Sequence, residues 1–117
     1  MAGGSRPLTL GSDSVVDLCQ QGLGDRGTAT LSTQLRSSKN ITSLNLQNNS
    51  IFEKGASAVG DALHHNRSLT SLSLENNSIG ALGASKLALG LQHNSTLAVL
   101  NLGFNSIGTP GAVSTPH

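Results

Sequence analysis

Leu69–Thr96 reads LTSLSLENNSIGALGASKLALGLQHNST, and it lies almost residue for residue over Ile41–Ser68, ITSLNLQNNSIFEKGASAVGDALHHNRS, 28 positions earlier. Another 28 positions on, Leu97–Val113 reads LAVLNLGFNSIGTPGAV. Stepping back from Leu44 by the same interval gives Val16–Leu35, VDLCQQGLGDRGTATLSTQL. The chain is therefore an array with units 16–43, 44–71, 72–99 and a partial unit 100–113. Residues 1–12 precede it as an expected flexible segment, and residues 114–117 form a tail.

Columns through the array assign roles. Leu44, Leu72 and Leu100 align, as do Leu18, Leu46, Leu74 and Leu102, and Leu23 with Ile51, Ile79 and Ile107. Leu44-Asn45-Leu46 alternates as a short half-buried strand does. Ala56, Val59 and Leu63, like Ala84, Leu87 and Leu91, follow at helical spacing. Asn66 and Asn94 fall just past these helices, where a left-handed cap suits Asn. Each unit reads strand, turn, helix, return loop. A single unit cannot bury its apolar faces, whereas a stack can. Strands lie about 4.8 Å apart and packed helices roughly 8–10 Å apart. The stack must therefore curve, with parallel strands inside and helices outside. The fold class is α/β, a short right-handed solenoid.

Composition narrows the function. The 117 residues carry a net charge of +1, only 11% charged residues, and no Trp or Tyr. That excludes a strongly basic nucleic-acid footprint and leaves no apolar run of membrane-spanning length. No apolar leader core appears in MAGGSRPLTLGSDS. The lone Cys19 fits a reducing compartment, so a cytoplasmic location is expected. Five Asn-x-Ser/Thr sequons, at Asn40, Asn48, Asn66, Asn76 and Asn94, carry little weight, since four of them fall in two repeat columns.

Gly22–Gly27, GLGDRG, imitates a dinucleotide-binding turn. The repeat accounts for it instead. Gly27 belongs with Gly55, Gly83 and Gly111, and Gly24 with Gly80 and Gly108. The acidic residue that a dinucleotide site needs about 20 residues on is missing.

The wording L-x-x-L-x-L-x-x-N-x-I-x-x-x-G-A resembles a leucine-rich repeat, and the unit length and full helix resemble the ribonuclease-inhibitor-like subclass. The phrase Asn66–Leu74, NRSLTSLSL, looks most like the repeat region of NOD-like receptors. The resemblance implies a horseshoe segment that displays its concave face to another protein. It implies that Asn49, Asn77 and Asn105 form a structural column bonding backbone groups of adjacent turns. The chain has no G-x-x-x-x-G-K-[ST] motif, so a NOD-like receptor's nucleotide module is not within it.

Alternation turns Val15, Asp17, Cys19, Ser43, Asn45, Gln47, Ser71, Ser73, Glu75, Val99, Asn101 and Gly103 toward the inside of the curve. The expected protein-binding set is Asp17, Ser43, Asn45, Gln47, Asn48, Ser71, Ser73, Glu75, Asn76, Asn101 and Phe104. Phe104 replaces Asn48 and Asn76 in its column and is the candidate anchor, since hot spots favour large side chains over small polar ones. No catalytic, cofactor or metal residues are expected. His65 and His93 share a column on neighbouring helices roughly 8–10 Å apart, too far to share a metal. Arg26 with Lys54, and Lys39 with Arg67, form a solvated rim.

The fourth unit ends at GTPGAVSTPH. Thr109-Pro110 suits a helix start, and Pro116 stops the helix early. The bare C-terminal edge thus offers a surface for self-association or docking. The leading expectation is a non-catalytic protein-binding module from a larger intracellular receptor or scaffold. The alternatives are a regulator of a small GTPase and a piece that completes another repeat array.

Overall fold

The computed structural model describes residues 10–107. Within them the order is β1 (Val15–Asp17), α1 (Gly24–Ser37), β2 (Ser43–Asn45), α2 (Glu53–His65), β3 (Ser71–Ser73), α3 (Gly80–Leu91) and β4 (Val99–Asn101). The strands form one parallel sheet in sequence order. Its register is the repeat interval itself: Val16 pairs with Leu44, Leu44 with Leu72, and Leu72 with Leu100. The short α/β solenoid expected from the periodicity is the observed fold. The expected helix start at Thr109-Pro110 and the tail lie outside the described residues.

The interior is made by the predicted columns. Leu44, Leu46, Ile51, Val59, Leu63, Leu72, Leu74, Ile79 and Leu87 are all essentially inaccessible to solvent. Burying each aliphatic side chain contributes about 1.5–3 kcal/mol. Leu10, ahead of the first unit, joins this cluster, and its N–H donates to Gln34 Oε1 at 2.8 Å. At the other end Leu97, Leu100 and Leu102 are half-buried.

None of the three helices caps its own N-terminus with a side chain. Neighbouring units do this instead. The N–H groups of Gly24 and Gly80 donate to the carbonyls of Asn49 and Asn105 at 2.8 and 2.9 Å. For α2 the acceptor is Asp25 on α1, whose Oδ1 takes the N–H groups of Phe52 at 2.8 Å and Gly55 at 2.9 Å. The helix dipole adds to this contact, since a carboxylate sits favourably at a helix N-terminus. A side chain on Gly55 would reach within 2.6 Å of Asp25 Oδ1. Part of the GLGDRG turn is thus explained: its aspartate closes the next helix.

One local expectation fails. Asn66 does not adopt a left-handed cap; its backbone is extended, at φ −74° and ψ 136°, and Asn94 is also absent from the left-handed region. The side-chain amides act instead. Asn66 Nδ2 donates to the carbonyls of Leu35 at 2.7 Å and Ser38 at 3.2 Å, while its Oδ1 accepts from the N–H groups of Ser68 and Leu69. Asn94 repeats the pattern on Leu63, Asn66, Thr96 and Leu97. A helix end and a return loop are both satisfied by one buried amide, which a backbone cap alone could not do.

Candidate protein-binding face

Asn49, Asn77 and Asn105 form a ladder through the stack. Asn77 Oδ1 accepts the N–H groups of Asn49 at 2.8 Å and Ile51 at 3.0 Å, one unit earlier. Its Nδ2 donates to the carbonyls of Leu46 at 3.1 Å and Leu74 at 2.8 Å. Asn49 does the same for Gln21, Leu23, Leu18 and Leu46, and Asn105 bonds Ile79, Leu74 and Leu102. All three are buried. Asn49 and Asn77 spend all four hydrogen-bonding positions on the fold, as a buried amide requires.

The face displayed in front of this ladder is mostly polar, with Val15 and Val99 exposed at its ends. Ser43, Asn45, Gln47, Asn48, Ser71, Ser73 and Glu75 are half-exposed, and Asp17, Asn76, Asn101 and Phe104 are exposed. Asp17, Ser43, Asn45, Ser71, Ser73 and Asn101 lie in the strands, whereas Gln47, Asn48, Glu75, Asn76 and Phe104 lie in the segments that follow them. The structure also gives one column a second task. Asp17 Oδ1, Asn45 Oδ1, Ser73 Oγ and Asn101 Oδ1 each accept the N–H two residues on, at 3.0, 3.0, 3.4 and 2.9 Å. These side chains hold the chain as it leaves the strand, as Asx and Ser turns do. The recurrence of Asp, Asn, Ser and Asn at that column was the available signal.

The next column is where the backbone turns. Gln20, Asn48, Asn76 and Phe104 all have positive φ, between 55° and 58°. Asn tolerates this region through local hydrogen bonding, whereas a bulky side chain there is an outlier. Asn76 Nδ2 donates to Asn48 Oδ1 across the units. Phe104 ends that row, 80% exposed. An aromatic side chain thus occupies a strained position without using it to fill the core.

On the helical side His64, rather than His65, meets His93, with ring centroids 4.5 Å apart, and His64 also lies 4.7 Å from His65. The His64 pKa lies below its ordinary value, first through desolvation, then through the charges of His93, His65 and Arg67. No group of three or more His, Cys, Asp or Glu among the described residues is arranged to hold a metal. Cys19 is a free, half-buried thiol.

Residues 37–60, 65–88 and 93–114 match the family model described as Leucine Rich repeat. The chain belongs to the leucine-rich-repeat family. No curated protein matches it. Among solved structures, this leucine-rich-repeat chain is similar to Leiomodin-1 Actin-Binding Site 2, at 36% identity and a TM-score of 0.64. The alignment covers 69% of this chain and 48% of that one, so the leucine-rich-repeat segment spans about half the length of its structural neighbour.

Proposed function

We propose that this leucine-rich-repeat chain is a non-catalytic module that binds another protein through its concave face, with Phe104 as the anchor. The observation that carries this reading is the exposed Phe104 at φ 56°, in a column where other units place Gln or Asn. Such a position costs about 1–3 kcal/mol, and the solvent-facing ring returns no core packing. Contact with a partner is the role that uses it, because aromatic anchors supply much of the energy of protein interfaces.

The wording of the repeats supports a place in the ribonuclease-inhibitor-like subclass, close to NOD-like receptor repeats, within a larger cytoplasmic receptor or scaffold. Actin is the first partner to test, because the structural neighbour is titled an actin-binding site. Co-sedimentation with F-actin and a pull-down with monomeric actin address it directly. Proximity labelling then compares wild type with Ser71→Arg and Phe104→Asn. The reading predicts that both variants lose the partners enriched by wild type while keeping its thermal melting. Unchanged enrichment with both variants would reject the concave face.

A second reading has its own observation. Leu97, Leu100 and Leu102 are half-buried, whereas their counterparts Leu69, Leu72 and Leu74 are at most 1% exposed. This favours docking of a further repeat unit at the fourth strand. Partner recovery that survives concave-face changes and fails on Leu102→Asp would favour it.

A further inference from the structure

The outer side of the α2–α3 contact is hollow. Gly60 and Gly90 bring the two backbones together and place no side chain above them. A groove of about 260 Å³ remains, walled by Ser57, Asp61 and His64 of α2 and by Lys86 and Leu89 of α3. At about 30 Å³ per water in the liquid, that is room for about nine waters, or for one side chain. The valley between α1 and α2 is bridged instead, since Arg36 reaches across it to Asp61 at 3.3 Å. One unit on, the counterparts of that pair are His64 and Leu89. The acid that closes the first valley is therefore replaced in the second by a leucine, 57% exposed.

The cation of the groove is also private to this unit. Lys86 follows Thr30 and Ala58 in its column, and among the described residues no acid pairs with it. The Ser57 hydroxyl has no hydrogen-bond partner among them either. Arg67 flanks the end of the groove, its Nη1 donating to the His64 carbonyl at 2.9 Å. The single acid in the lining, Asp61, has Oδ2 turned to Arg36. Free donors and uncompensated positive charge thus surround an aliphatic wall. A carboxylate on a short aliphatic arm suits this arrangement. Its charge takes charge-assisted hydrogen bonds from an ammonium and a hydroxyl, and its methylenes cover the exposed leucine. An incoming cation would meet Lys86.

We propose that the α2–α3 groove is a subsite for a glutamate side chain of a bound protein, with Lys86 and Ser57 holding the carboxylate and Leu89 packing its arm. The groove lies on the helical side and is independent of the concave-face reading. The test is an NMR titration of the full ¹⁵N-labelled chain with Nα-acetyl-glutamate methylamide, beside its glutamine counterpart and inorganic phosphate, at constant ionic strength. The glutamate compound is expected to shift the amides of Gly60, Asp61, Lys86 and Gly90 in a saturable way. Glutamine, which keeps the shape but not the charge, and phosphate, which keeps the charge but not the arm, should not. Lys86→Gln should weaken the glutamate response by about two- to fivefold. Asp61→Asn removes the opposing charge and should strengthen it. Amide spectra that match wild type away from the groove show that both variants fold. Equal responses to glutamine or phosphate, a Lys86→Gln variant that titrates like wild type, or a weaker response in Asp61→Asn would overturn the assignment. Its failure would leave the concave-face reading standing, because Ser71→Arg and Phe104→Asn touch no residue of the groove.

Discussion

Helix α2 meets α1 on one side and α3 on the other at the same register, and the two contacts are built from opposite chemistry. On the α3 side the backbones touch. Ala56 faces Gly83, and Gly90 lies directly against the Gly60 carbonyl, leaving no room for a side chain. On the α1 side the columns that hold Ala56 and Gly60 are filled by Thr28 and Ser32, both buried. Their hydroxyls have no hydrogen-bond partner. The α1 contact is tied instead by Asp25 at the start of α2 and by the Arg36–Asp61 pair at 3.3 Å. That pair is exposed, so it contributes about 0–1 kcal/mol. The repeat template fixes where neighbouring helices meet. Residues private to each unit decide how closely, and at what energetic cost.

The comparison breaks most sharply at one column. Gly90→Ala would force a methyl into the Gly60 carbonyl and should destabilise by about 3 kcal/mol, as overpacking does. The reciprocal change on the α1 side, Ala62→Gly, should cost only about 1 kcal/mol, chiefly through helix propensity. Urea titrations should show lower midpoints for both with unchanged slopes. Equal losses would mean the two helix contacts are alike.

Asp25→Ala removes the cap on α2 and should cost about 1–2 kcal/mol. Asp25→Asn keeps an acceptor and should recover most of it. Ser32→Ala works in the other direction. Deleting a buried hydroxyl without a partner should add about 1 kcal/mol, seen as a melting temperature higher by roughly 4–8 °C. A destabilised Ser32→Ala would show that this hydroxyl finds a partner in solution. Phe104→Asn, which restores the residue its column uses, should leave the melting temperature unchanged or raise it.

The smallest effect is on the pH axis. The His64 pKa is lowered by desolvation and by His93, His65 and Arg67, with Asp61 opposing. The unfolded chain therefore takes up this proton first as pH falls. The stability associated with His64 is present above its ordinary value and is lost as pH drops through the lowered one. The fall in melting temperature between pH 7.5 and 5.5 should be shallower in His64→Gln, measured by calorimetry. An identical fall in both proteins would remove His64 from the account.

The division between template and private residues also explains what could be read in advance. Strand register, the leucine interior and the asparagine column were legible because each is stated several times, one unit apart. The position of Phe104 was legible as an exception to its column. The left-handed backbone beneath it was not, since Asn at that column fits several conformations. Asp25 was hidden because its counterparts are Glu53 and Ala81, so no column announces a cap. The roles of Asn66 and Asn94 were masked for another reason. Helix ends suit Asn both as a backbone cap and as a side-chain bridge, and the carbonyls that the preceding unit presents decide between them.

The central claim is that position in a column fixes what a residue does, across units rather than along the chain. Amide hydrogen exchange in Asn77→Ala tests it most directly. The acceptor for the Asn49 and Ile51 amides is the Asn77 side chain, 28 and 26 residues away. Those two amides should exchange faster by about tenfold relative to Leu46, whose acceptor is the Ser73 carbonyl. Protection of Asn49 and Ile51 that falls no further than that of Leu46 would contradict it.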